Sequence, residues 1–169
     1  MDAEQLREIQ QPLKDQYRQS PETAMKTMRA AGQIDVPALA CHVEDGRDPL
    51  IAGLHSAAGG DGSLACSADM LLQSLVACSG VTFAAVATAM SISIRSATVE
   101  ATAQMDFRGT LGIDREASIG LFAVNLAFTI DSPADDASLA KLVSLSERYC
   151  VILQTLSAQN ELKANWARL

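Results

Sequence analysis

The sequence predicts an α+β fold, with helices and strands in separate stretches of the chain. Two observations carry this expectation. An apolar run at 70–90, MLLQSLVACSGVTFAAVATAM, has the length and character of a buried helix. After it, two stretches place an apolar residue at every second position: Val99, Ala101, Ala103, Met105 and Phe107, then Phe122, Val124, Leu126, Phe128 and Ile130. That period marks a half-buried strand, one face to the core and one to water.

In chain order, residues 3–31 carry Leu6, Ile9, Leu13, Met25 and Met28 at helical spacing. Ser20-Pro21-Glu22-Thr23 combines an N-cap serine with a proline in the first turn. Two helices are therefore expected, meeting near Ser20, with Gly32 ending the second. Residues 34–56 hold two strand-like pieces, IDVPALACHVED and PLIAGLH, divided by the turn signal Gly46-Arg47-Asp48-Pro49. The loop SAAGGDGS at 56–63 lacks the Gly-Lys-Ser/Thr that would make it a phosphate cradle. Ser67-Ala68-Asp69 opens the central helix. FRGTLGIDREAS links the two alternating strands, and Ser132-Pro133 ends the second. Residues 135–149 form an amphipathic helix with Leu139, Leu142, Val143 and Leu145 inward, and 151–158 a second, shorter one. The 169 residues read as one domain, 1–169, with 1–33 as a helical N-terminal extension.

Composition narrows the function classes. Net charge is −7 and no Lys/Arg cluster is visible, which argues against nucleic acid and against an anionic membrane surface. The 70–90 run is interrupted by Gln73, Ser74, Ser79, Gly80, Thr82 and Thr88 and lacks a basic flank. A helix inside a soluble core is expected rather than a membrane span. The start of the chain is polar, with no signal-peptide core, so a cytoplasmic location is expected. Hydrophobic residues make up 49% but aromatics only 4%, so small side chains must build the core. A large shared subunit interface would compensate for the area they fail to bury.

Four cysteines in such a chain point to redox use rather than a disulfide scaffold. Cys78 lies in the middle of the central helix, and Cys150 opens the last one, 72 residues later. A helix N-terminus stabilises a thiolate through its free N–H groups. Core packing is the alternative reading, and position alone favours it. Cys41-His42 with His55 has no zinc-site spacing, and no metal or other cofactor is expected. A Ser-His-Asp hydrolase is not supported either, since no Gly-x-Ser-x-Gly elbow is present.

Two segments add a resemblance. GLHSAAGGDGSLACSADMLLQSLVACSGVTF supplies Asp69, Leu71-Leu72, Ala77-Cys78 and Thr82, and ERYCVILQTL supplies Glu147, Tyr149 and Cys150. In this order and at this separation they resemble the OsmC/Ohr family of thiol-dependent hydroperoxide reductases, over roughly residues 34–160. The resemblance implies an intertwined homodimer, with antiparallel sheets wrapped around buried central helices. It implies a small hydrophobic peroxide as substrate and an external dithiol as reductant. Carried over, Cys78 is the peroxidatic thiol and Cys150 the resolving one. Arg47 is the nearest match to the family's thiolate-holding arginine, with Arg95 and Arg108 as alternatives. Buried without a cation, Cys78 would be inert, so a positive partner is expected. Asp69 matches an acidic residue that can join the family's catalytic network, and equally fits a charge favoured at a helix N-terminus. Nine steps of about 100° place it on the opposite helix face from Cys78, so a kink is needed to bring them together. Val151 stands where the family often has proline, and Cys41 and Cys66 are extra thiols. Two other functions stay open: a non-catalytic scaffold or small-molecule binding protein, and a general thiol–disulfide oxidoreductase.

Overall fold

A computed structural model describes residues 1–44 and 50–168. The expected turn at 46–49, with Arg47, lies outside the described residues. The architecture is α+β, with a four-stranded sheet, a two-stranded antiparallel sheet and helices.

Helix α1 spans Ala3–Gln19. Asp2 caps it by accepting from the Gln5 N–H at 2.9 Å, while the Gln5 side chain accepts from the Asp2 N–H at 3.0 Å. The second N-terminal helix does not form. Pro21–Ala24 makes only a single 3-10 turn, and Met25 is already extended. Met25 and Met28 are 80% and 89% exposed, so this segment has no buried apolar face to hold a helix against its nucleation cost. Gly32 therefore belongs to strand β1 (Ala31–Asp35) rather than to a helix end. A Cβ at Gly32 would stand 2.9 Å from the Cys41 sulfur across the sheet, so a side chain here would have to displace that sulfur.

Strands β2 (Ala40–Glu44) and β3 (Leu50–Gly53) continue the sheet antiparallel, and β4 (Ala65–Cys66) joins β3 in parallel. Strands β5 (Ser96–Gln104) and β6 (Phe122–Asp131) pair antiparallel, with Val99 opposite Phe128 and Ala101 opposite Leu126. The alternation expected from the sequence holds: Val99, Ala101 and Ala103 are half-buried between exposed neighbours. Strand β5 stops before Phe107. The Asp106 carboxylate accepts from the Arg108 N–H at 3.0 Å and caps a short helix α3, Phe107–Thr110.

Helix α2, Ser67–Ala89, runs unbroken for 23 residues. By length and composition it is apolar enough to cross a membrane. It buries Leu75, Ser79, Phe83 and Ala87, one stripe at four-residue spacing. Phe83 and Ala87 meet Leu142 of helix α4 (Asp136–Tyr149) and Phe128 and Ile130 of β6. The Phe83 and Phe128 rings stack at 5.4 Å. Other positions of α2 stay open in the single chain: Val81 is 72% exposed. Helix α5, Val151–Ser157, follows α4 after a one-residue break and packs back onto α2.

Candidate functional site

Cys150 is that break. Its extended backbone ends α4, and its N–H still bonds the Ser146 carbonyl at 2.9 Å. Its sulfur accepts the Leu153 N–H at 3.5 Å, so the thiol caps α5. The first amides of α5 have no carbonyl partner within the helix. Those of Val151 and Ile152 favour the ionised form of Cys78 on the facing helix α2.

The sequence alone placed Cys150 at a helix start. It did not show that this start serves the other cysteine. Four groups favour the ionised Cys78 thiol: the Ile152 N–H, the Cys150 thiol, the Val151 N–H and the Thr82 hydroxyl. Thr82 reaches it because residues four apart share a helix face. Burial pushes the Cys78 thiol up, but these hydrogen bonds outweigh burial and hold it below the ordinary thiol value. The two cysteines differ in access. Cys78 is partly exposed, whereas Cys150 is 0% exposed and shares a 3.3 Å hydrogen bond with Ser79, itself buried.

Among the described residues no cation lowers the Cys78 thiol; backbone amides contribute instead. Arg47 lies outside the described residues. Arg95 is engaged by Asp131, and Arg108 by Asp106 and Asp114, so neither alternative is turned to the thiol. Asp69 lies exposed in the first turn of α2 beside Cys66 and Gln73, and the helix between it and Cys78 is continuous. Within one chain the two are not brought together. Cys41 is half-buried on β2, and Cys66 precedes α2. All four cysteines are free. Among the described residues no His/Cys/Asp/Glu group is arranged to hold a metal.

Sequence reasoning missed Ser79 and the amides of 151 and 152. The dipeptide Cys78-Ser79 carried a signal for the first: adjacent helical residues diverge by about 100°, so one can meet Cys150 from the buried stripe while the other faces the opening. For the amides the sequence held only that Val151 keeps an N–H that proline would lack, with nothing to say where it points.

The geometry agrees with what comparison finds. A family model described as OsmC-like protein matches residues 60–165. Among solved structures, an OsmC-like protein from Mycoplasma pneumoniae is 19% identical, with a TM-score of 0.64, covering 78% of this chain and 88% of that one. An organic hydroperoxide resistance protein from Elizabethkingia anophelis is 18% identical, with a TM-score of 0.61, covering 78% and 90%. An organic hydroperoxide resistance protein OsmC from Legionella pneumophila is 15% identical, with a TM-score of 0.59 and the same two coverages, 78% and 90%. At these identities the likeness establishes the fold. A comparison with curated proteins finds no match.

Proposed function

Because the chain belongs to the OsmC-like protein family, we propose that it reduces organic hydroperoxides with Cys78 as the attacking thiolate and Cys150 as the resolving thiol. One observation carries the reading. A partly exposed thiol, lowered by two helix-terminal amides, adjoins a second thiol that is fully buried. Access and ionisation meet at the residue that must face substrate, and the residue that must wait is shielded.

The chemistry balances without a cofactor. The Cys78 thiolate attacks the terminal oxygen of the hydroperoxide; a sulfur–oxygen bond forms and the O–O bond breaks. The alkoxide leaves and takes a proton to become the alcohol, and Cys78 becomes a sulfenic acid. The Cys150 thiol then attacks that sulfur, the disulfide forms, and the hydroxyl departs as water. An external dithiol returns two electrons by exchange and restores both thiols. A reducing cytoplasm is the compartment this cycle needs.

The chain is read as a single domain, with residues 1–33 as its extension, acting as a homodimer. Exposed apolar positions on α2, such as Val81, support a shared interface. Neither nucleic acid nor membrane has a part in this reading. Arg47 and Asp69 stay candidates as site residues contributed across that interface.

Replacing Cys78 by Ser should abolish turnover of cumene hydroperoxide with a dithiol reductant. Replacing Cys150 by Ser should leave one round of peroxide consumption and a sulfenic acid that a dimedone probe traps. Unchanged turnover in both variants would sink the proposal.

A further inference from the structure

Ser79 is a polar residue in an apolar stripe. It lies on α2 between Leu75 and Phe83 and is 1% exposed. Burying a hydroxyl costs free energy unless it is hydrogen-bonded, and alanine would fill a small position without that cost. Elsewhere on the helices, Thr88, Ser146 and Thr155 satisfy their hydroxyls on the carbonyl one turn back, each at 2.8 Å. Ser79 instead meets the Cys150 sulfur, 71 residues away, at 3.3 Å.

A neutral thiol is a weak partner for a hydroxyl, both as donor and as acceptor. A thiolate is a stronger one, since hydrogen bonds to charged groups are about twice as strong as neutral ones. The contact therefore gains most when Cys150 carries charge. Cys150 is 0% exposed, so water does not supply that stabilisation. A hydroxyl can follow the change, because its hydrogen rotates: it accepts from the thiol and donates to the thiolate. The Leu153 N–H, 3.5 Å from the same sulfur, is a second donor.

We propose that Ser79 is a positioning residue for disulfide closure, holding the Cys150 sulfur and stabilising its thiolate as it attacks the Cys78 sulfenic acid. This role rests on the peroxide-reducing reading of Cys78. In the closing step the sulfur–sulfur bond forms and the Cys78 sulfur–oxygen bond breaks. Cys150 is oxidised and the sulfenic sulfur is reduced. The proton shed by Cys150 joins the departing hydroxide as water, and Ser79 keeps its own proton throughout. The earlier attack of Cys78 on the peroxide does not involve Ser79.

Rapid-quench kinetics separate the two steps. Reduced full-length protein, with Cys41 and Cys66 replaced by serine, is mixed with one equivalent of cumene hydroperoxide. Sulfenic acid and disulfide are then followed by mass spectrometry. Ser79→Ala should form the sulfenic acid at the parent's rate and close the disulfide about tenfold more slowly. With excess peroxide it should accumulate Cys78 sulfinic acid, because the sulfenic acid waits longer. Threonine and valine share a shape, so Ser79→Thr and Ser79→Val carry the same packing burden and differ in the hydroxyl. The threonine variant should close about fivefold faster than the valine variant. Closure in Ser79→Ala at the parent's rate, or equal closure in the threonine and valine variants, overturns the inference. So does an equal slowing of sulfenic acid formation in Ser79→Ala. Diamide oxidises a thiol pair without a peroxide and separates the two readings. A parent inert toward peroxide, whose closure by diamide slows in the alanine and valine variants but not in the threonine one, would refute the peroxidase reading and leave the role of Ser79 standing. A parent that reduces the peroxide while every variant closes equally fast would refute the role of Ser79 instead.

Discussion

At position 151 the chain carries a backbone N–H that proline would lack, and that N–H helps to lower the Cys78 thiol. The site is therefore adjustable by one atom group. Val151→Pro should fold, because proline is favoured at the first helical position and Cys150 already has the extended backbone that must precede it, φ −72° and ψ 106°. The substitution removes one lowering hydrogen bond and should move the Cys78 thiol upward. Hydrogen bonds to charged groups differ from ordinary ones by enough that alkylation of Cys78 at neutral pH should slow roughly tenfold. The check is iodoacetamide labelling against pH in a background where Cys41, Cys66 and Cys150 are serine. The sign is fixed by the direction of the shift. A lowered thiol is ionised at pH values where an ordinary cysteine is still protonated, and reactivity is lost as pH falls through the lowered value. An unchanged profile in Val151→Pro would mean that this amide does not hold the thiolate. Both cysteines were legible in the sequence because thiols are rare and their flanking words specific. The amide donors were not, because a backbone group acquires a role only when another helix is brought against it.

Helices and strands with one sustained period were legible, and the segments that lacked a buried partner were not. The stripe Leu75–Ser79–Phe83–Ala87 fixes which face of α2 turns inward, and Leu142 of α4, 0% exposed, closes against it. Leu142→Ala should cost about 2–5 kcal/mol, read as a lower urea midpoint at unchanged slope. A loss below about 1 kcal/mol would contradict the tight α2–α4 packing. The expected helix after Ser20 failed for the opposite reason, since Met25 and Met28 find no core to enter. The link between β5 and β6 hid a different constraint. A Cβ on Gly109 would lie 2.6 Å from the Ser118 carbonyl oxygen and 2.7 Å from that of Ala117. Backbone cannot yield as a side-chain tip does. Gly109→Ala should therefore destabilise by about 1–3 kcal/mol, measured by the same urea titration. A neutral result would show that the α3 turn does not sit against residues 117–118.

The whole molecule has a thin core for its length. Only Ala40, Leu75, Phe83, Ala87, Leu142 and Cys150 are buried apolar residues among those described, while Ile34, Val36 and Val81 are more than two-thirds exposed. Such a chain gains little from folding alone, and the proposed shared interface would restore the missing burial. Sedimentation should give a dimer at low micromolar concentration; a stable, folded monomer there would contradict the assembly. Composition had pointed the same way, because an aromatic-poor core buries little area per residue. How two copies would pair in the proposed dimer leaves no period in one sequence. The proposed cycle itself is tested most directly by one stoichiometric reaction. Reduced protein is mixed with an equimolar amount of cumene hydroperoxide, quenched with an alkylating agent, and mapped by peptide mass spectrometry. The account predicts that the peptides containing Cys78 and Cys150 are joined by a disulfide, with Cys41 and Cys66 alkylated and the peroxide converted to its alcohol. Recovery of Cys78 and Cys150 as alkylated thiols with the peroxide intact would contradict it.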